Sequence, residues 1–172
     1  GDPLTLSDDT LSSLAGRLAA IPHLKRLRVH TRLPIVLPQR VNAELLNWLT
    51  ENRLSPIMVI HANHAREFDP FVCQAIARIR DAGIPLLNQS VLLRGVNDSV
   101  DVLENLSKTL VDLGVMPYYL HLLDRTRGTH AFDVQEAEGK RLIGELRARL
   151  PGYAVPRLAR EIAGATSKQV VL

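Results

Sequence analysis

Side chains able to do acid–base or covalent chemistry recur at one end of successive apolar stretches in this 172-residue sequence. His30-Thr31-Arg32 ends the first stretch and His61-Ala62-Asn63-His64 the second. Asn88-Gln89-Ser90 lies in the third, which leads to Arg94, and His121 and Asp124 end the fourth. One such residue alone is more often a satisfied structural group than a functional one. Four sets in register point to a shared cavity, because barrel strands fill their interior with apolar side chains and polar ends converge at one rim. A second candidate stands near the C-terminus, where Arg160-Glu161-Ile162-Ala163-Gly164-Ala165-Thr166-Ser167-Lys168 sets a lysine on a loop of small residues. Two readings of it are open. A loop lysine is usually a solvated charge; the chemical reading is a Schiff-base lysine, whose amine condenses with an aldehyde cofactor that small neighbours leave room for.

The elements that must position these groups follow from periodicity. Short apolar stretches rich in β-branched residues alternate with amphipathic segments, the pattern of βα units and a parallel sheet. Strands are expected over 26–31, 56–61, 85–92, 115–122 and 153–162, at a spacing near thirty residues. A first helix is expected over roughly 8–19. Further helices open at Asn42, at Asp69 with Pro70 in the first helical position, at Ser99 and at Asp133. Gly114 closes the third of these and Pro151-Gly152 the last. Five strands in a repeating βα series give an open doubly wound sheet or an arc of a barrel, and near-uniform repeats favour the barrel arc. Neither G-x-G-x-x-G nor a Walker loop is present, which removes the usual nucleotide-binding open sheets. No linker divides the units, so residues 1–172 are read as one portion of a single α/β partial barrel, with the lysine loop at 161–168.

Composition excludes several classes. The net charge of +3 is mild, and three Phe, three Tyr and one Trp offer few platforms for stacking bases, so nucleic acid is not the expected partner. No apolar run approaches the roughly 20 residues of a membrane span, and no basic-then-apolar leader opens the chain, so a cytoplasmic location is expected. The single Cys73 sits in an apolar helical pattern and cannot by itself hold a metal cluster.

Specific blocks then carry a resemblance. Gly1-Asp2-Pro3-Leu4, Ile21-Pro22-His23, Leu37-Pro38-Gln39-Arg40, His61-Ala62-Asn63-His64, the run from Asn88-Gln89-Ser90 through Arg94-Gly95-Val96-Asn97-Asp98, and Met116-Pro117-Tyr118-Tyr119-Leu120 resemble, in collinear order, the lysine 2,3-aminomutase family of radical S-adenosylmethionine enzymes. The end of the chain is most similar to the branch that makes β-lysine for elongation factor P. Arg160-Glu161-Ile162 leads there into a Gly/Ala/Thr/Ser loop, and only four residues follow Lys168.

The resemblance implies a radical SAM partial barrel that uses pyridoxal 5′-phosphate, S-adenosylmethionine and a [4Fe–4S] cluster. It implies the conversion of L-lysine to β-lysine by a 5′-deoxyadenosyl radical and a 1,2-amino shift. Lys168 matches the lysine that holds the pyridoxal. Asp124 matches an acid for the side-chain ammonium of the substrate, and Glu161 stands at a second such position, where catabolic members have Asp. Gly1 and Asp2 match the end of a motif that places the amino group of S-adenosylmethionine, and His61, Asn63 and Gln89 match strand-end groups around that cofactor. The family's Cys-x-x-x-Cys-x-x-Cys loop has no counterpart here, so no metal ligand is assigned in this chain. The sequence is expected to be a C-terminal portion, inactive alone, with an open barrel edge prone to self-association into a homo-oligomer. The rival readings are a non-radical Schiff-base lyase or aldolase using Lys168 and a catalytically inert binding module.

Overall fold

The computed structural model describes residues 1–124, 128–162, 164 and 166–171. It contains two compact units, one of residues 1–61 with 68–87 and the other of residues 62–67 with 88–172.

In the first unit, helix α1 (Asp8–Ala19) starts where Ser7 accepts a hydrogen bond from the Thr10 N–H, with Asp8 and Asp9 in the first turn complementing the helix dipole. Strand β1 (Arg26–Thr31) follows, then a short helix α2 (Leu33–Val36), helix α3 (Ala43–Thr50) capped by Asn42, and strand β2 (Ser55–Ile60). Strands β1 and β2 pair in parallel, His30 beside Val59 and Thr31 beside Ile60. Parallel neighbours need a crossover of a dozen or more residues, which α2 and α3 supply. Met58, Val59 and Ile60 are fully buried, so the end of β2 has no solvent face. Helix α4 (Pro70–Asp81) is capped by Asp69 and turns Val72, Ala75, Ile76 and Ile79 inward, the spacing of a single helical face. Each such fully buried aliphatic side chain contributes roughly 2 kcal/mol, and truncating Ile76 to alanine would cost about 3 kcal/mol.

An ion pair anchors this unit. Arg40 holds Asp8 at 2.8 Å, and the Trp48 indole N–H donates to the same carboxylate at 2.9 Å. Burial alone would raise the Asp8 pKa, but hydrogen bonds from Arg40 and Trp48 and the Arg40 charge outweigh it and hold the group below its ordinary value.

Strand β3 (Leu86–Val91) begins in the first unit, where the Met58 N–H donates to the Pro85 carbonyl, and ends in the second, where the Leu92 N–H donates to the His121 carbonyl. The second unit continues with α5 (Val100–Asp112), β4 (Val115–His121), α6 (Glu136–Arg149), β5 (Arg157–Arg160) and β6 (Gln169–Val170). Ser99 caps α5, and Gly114 follows it with φ of 79°, a left-handed conformation that glycine adopts without a Cβ penalty. The core of this unit gathers Leu92, Leu103, Leu120, Leu122, Leu142, Leu146 and Leu158. Helix α6 lies close over it: a Cβ on Gly139 would stand 3.2 Å from a Leu158 methyl and 3.3 Å from a Leu122 methyl.

Three expectations need correction. Residues 153–162 are not one strand: Gly152–Ala154 form a 3-10 turn and β5 starts at Arg157, after Pro156, which cannot donate to a ladder. Asp133 does not cap α6, which starts at Glu136 behind Gln135 with no side-chain cap; Asp133 instead ends the 3-10 turn His130–Phe132. Strand β6 was not expected at all, two residues being too short for a periodic signal.

Candidate active site

Register explains how the C-terminal lysine reaches the end of β4. Strand β4 pairs in parallel with β5, His121 beside Ala159, and β5 pairs antiparallel with β6, Arg160 beside Gln169. One step further along that antiparallel register, Glu161 faces Lys168. Alternation along β4 puts Tyr119 and His121 on one face, and their rings lie 5.4 Å apart. Lys168 Nζ is therefore 3.1 Å from Glu161 Oε1, 3.3 Å from His121 Nε2 and 5.3 Å from the centre of the Tyr119 ring, within cation–π range.

These contacts set the local electrostatics. The hydrogen bond from Lys168, then its charge, hold the Glu161 carboxyl below its ordinary value. Burial pushes the His121 imidazole below 6.5 and the Lys168 charge adds to this, while Glu161 and Asp124 pull weakly the other way. His121 is thus neutral at neutral pH.

Beside Glu161 opens a cavity of about 370 Å³ lined by Asp124, Asp133, Glu136, Arg160 and Glu161, with an apolar floor at Leu122 and Val134. Arg160 is paired with Glu136 at 3.0 Å. The described lining residues thus carry four carboxylates and one guanidinium, a balance suited to a cation. Lys168, Glu161 and Asp124, which the sequence put forward together, belong to one neighbourhood. The sequence marks His121 as a strand end and gives it no role. The signal that could have found it is its place two residues after Tyr119 on an alternating strand. Ala163 and Ala165 of the lysine loop lie outside the described residues.

The strand-end residues compared with an S-adenosylmethionine site are described in their separate units. In the first, the Asp2 carboxylate accepts hydrogen bonds from Leu4 N at 3.0 Å, Thr31 Oγ1 at 2.8 Å and Arg32 N at 2.6 Å, which fastens Gly1 and Asp2 to the end of β1. His61 directly follows β2, with its ring 6.3 Å from that of His30. In the second, Asn63 Oδ1 accepts from Val91 N at 2.8 Å, and Gln89 is 5% exposed on β3. Asn88 and Ser90, in the same polar block, are structural: Asn88 exchanges two hydrogen bonds with the Ala62 backbone and Ser90 donates to the Ala62 carbonyl. Asn97 is fully buried, donates to the Asn63 and Val91 carbonyls and accepts from Leu93 N.

Comparison with solved structures defines the fold. The chain superposes on a domain of a pyruvate-formate lyase-activating enzyme from Bacteroides vulgatus with a TM-score of 0.63 at 16% identity, covering 94% of this chain and 96% of that one. A radical SAM methyltransferase from Sphaerobacter thermophilus gives 0.56 at 19%, covering 77% and 40%. The chain shares the α/β fold of these two proteins. No family model matches the chain. Curated proteins narrow the class: the L-lysine 2,3-aminomutase of Escherichia coli K12 is 50% identical over 98% of this chain, that of Haemophilus influenzae 46% over 98%, and that of Clostridium subterminale 39% over 100%. The chain is a homologue of the L-lysine 2,3-aminomutases along its whole length and spans between about two fifths and one half of theirs.

Among the described residues no group of three or more His, Cys, Asp or Glu could hold a metal ion. The residues of this chain therefore do not fit the [4Fe–4S] cluster. The Lys168 neighbourhood offers the group that the aldehyde end of pyridoxal 5′-phosphate would need, a partly exposed amine beside an imidazole. No helix among the described residues is long and apolar enough to cross a membrane.

Proposed function

We propose that the protein to which this chain belongs is an aminomutase that converts L-lysine to β-lysine by moving the amino group from C2 to C3. The observation that carries this reading is the convergence of Lys168, Glu161 and Asp124 beside a carboxylate-rich cavity, in a chain whose relatives bear the aminomutase name. Lys168 would hold pyridoxal 5′-phosphate, which supplies an electron-delocalising partner for the migrating nitrogen. Asp124 and Glu161 take the side-chain ammonium of lysine, so that the two ends of the substrate are fixed at once. Fixing both ends orients C2 and C3, and orientation is a large share of any catalysed rearrangement.

In this reading S-adenosylmethionine and the [4Fe–4S] cluster depend on parts of the relatives that this chain does not span, while Gly1, Asp2, His61, Asn63 and Gln89 contribute to the S-adenosylmethionine side. A product destined for elongation factor P is supported by the Arg160-Glu161-Ile162 stretch and the small-residue loop into Lys168. A cytoplasmic setting accords with a free, partly buried Cys73.

The test is to supply the full-length protein with pyridoxal 5′-phosphate, S-adenosylmethionine, a reductant and L-lysine under anaerobic conditions. β-Lysine should form, and Lys168→Ala should abolish it. Turnover of lysine without S-adenosylmethionine would favour a non-radical Schiff-base enzyme, and no turnover an inert binding module.

A further inference from the structure

We propose that His121 is a catalytic proton carrier for Lys168, taking the proton that Nζ must shed when it bonds to an aldehyde carbon and delivering it to the departing oxygen. This rests on the reading of Lys168 as the Schiff-base lysine, and neither the resemblance nor the relatives' names assign His121 a role.

The geometry is specific. His121 Nε2 stands 3.3 Å from Nζ, while Glu161 holds the same nitrogen from another side at 3.1 Å. The backbone that carries the imidazole is fixed in the sheet. The His121 carbonyl accepts from Leu92 N, the next residue's N–H donates to the Ala159 carbonyl, and the Tyr119 ring lies 5.4 Å away on the same face. The titratable and charged groups facing His121 among the described residues are Lys168, Glu161, Asp124 and Tyr119. Burial and the Lys168 charge keep the ring neutral near pH 7, with Nε2 able to accept.

The proton balance is complete without an outside reagent. Attack starts from unprotonated Nζ, which exchange with solvent supplies. Once the lone pair of the unprotonated Nζ has bonded to the aldehyde carbon, that nitrogen carries two acidic hydrogens. One passes to Nε2 and on to the oxygen; the second leaves as the C=N bond forms, and both depart with the oxygen as water. His121 ends as it began. A positioned acid–base group of this kind accelerates proton transfer by roughly a hundredfold or more.

The experiment mixes full-length protein with pyridoxal 5′-phosphate, follows the absorbance of the attached cofactor against pH, and locates the linkage by borohydride reduction and peptide mass. With His121→Gln the attachment rate near pH 7 should fall about a hundredfold, the final amount attached should be unchanged, and added imidazole should restore part of the rate. An unaltered rate, or a loss that imidazole does not restore, overturns the proposal. The wild-type profile is a second measurement independent of that variant's folding. The rate rises with pH because attack needs unprotonated Nζ; loss of the His121 proton should add a second, steeper dependence on the acid side, and a profile with the single amine dependence alone overturns the proposal. Attachment at Lys168 without these effects removes the His121 role alone. No attachment at Lys168 removes both that role and the reading beneath it.

Discussion

Glu161 Oε1 lies 3.1 Å from Lys168 Nζ across the turn between β5 and β6. The contact depends on chain length. An aspartate at 161 would be one methylene shorter, so the glutamate gives this chain a carboxylate that can face the lysine as well as the cavity. Its two prospective partners are both cations, one of the protein and one of the substrate.

The Glu161 side chain is 55% exposed, so its pair with Lys168 is screened and contributes about 1 kcal/mol at most. Its folded pKa is depressed, so the contribution is present above the ordinary carboxyl value and is lost as pH falls through the folded one. Glu161→Gln should lower the melting temperature by no more than about 4 °C at neutral pH, with the difference vanishing in acid. A difference that grows in acid would contradict the assignment; calorimetry at two pH values decides.

Asp124 lines the cavity, and among the described residues no cation pairs with it as Lys168 pairs with Glu161. In the full-length protein, Asp124→Asn should raise KM for lysine at least about tenfold, the worth of a hydrogen bond to a charged group. Steady-state kinetics check this, and a fall in kcat at constant KM would point to another role.

Asp8 is held by Arg40 and Trp48 with little exposure. Asp8→Ala should cost about 3 kcal/mol, because it strands a partly buried guanidinium. As the Asp8 pKa is lowered, the loss should be full at neutral pH and shrink as pH falls through the folded value. Urea unfolding at neutral and acid pH measures both.

Asn97 satisfies three backbone groups from a fully buried position. Asn97→Ala leaves the Asn63 and Val91 carbonyls and the Leu93 N–H unmet and should cost about 3 kcal/mol or more. Amide exchange should quicken first at Leu93, whose N–H loses Asn97 Oδ1 as its acceptor.

The sequence displayed the units of this fold where periodicity and caps agreed. Asn42, Asp69 and Ser99 each cap the helix expected of them, and β1 has the bounds its pattern implied. It misled where a turn residue had two uses: Asp133 looked like a helix cap and closes a 3-10 turn. The site was legible as residue types. Lys168, Glu161 and Asp124 could be named, but their approach depends on a two-residue antiparallel strand with no pattern of its own. The polar block Asn88-Gln89-Ser90 looked uniformly chemical, yet two of its members tie down the Ala62 backbone.

Gly139 has no side chain, and α6 takes advantage of that to rest against Leu122 and Leu158. Three residues earlier the same helix carries Glu136, which grips Arg160 on the cavity wall. An alanine there would favour the helix by about 1 kcal/mol, yet it would have to push two leucine methyls aside by a few tenths of an ångström. A hydrogen atom at position 139 thus sets how closely α6 approaches the strands, and an otherwise helix-strengthening substitution there would displace the helix that carries Glu136 to the cavity.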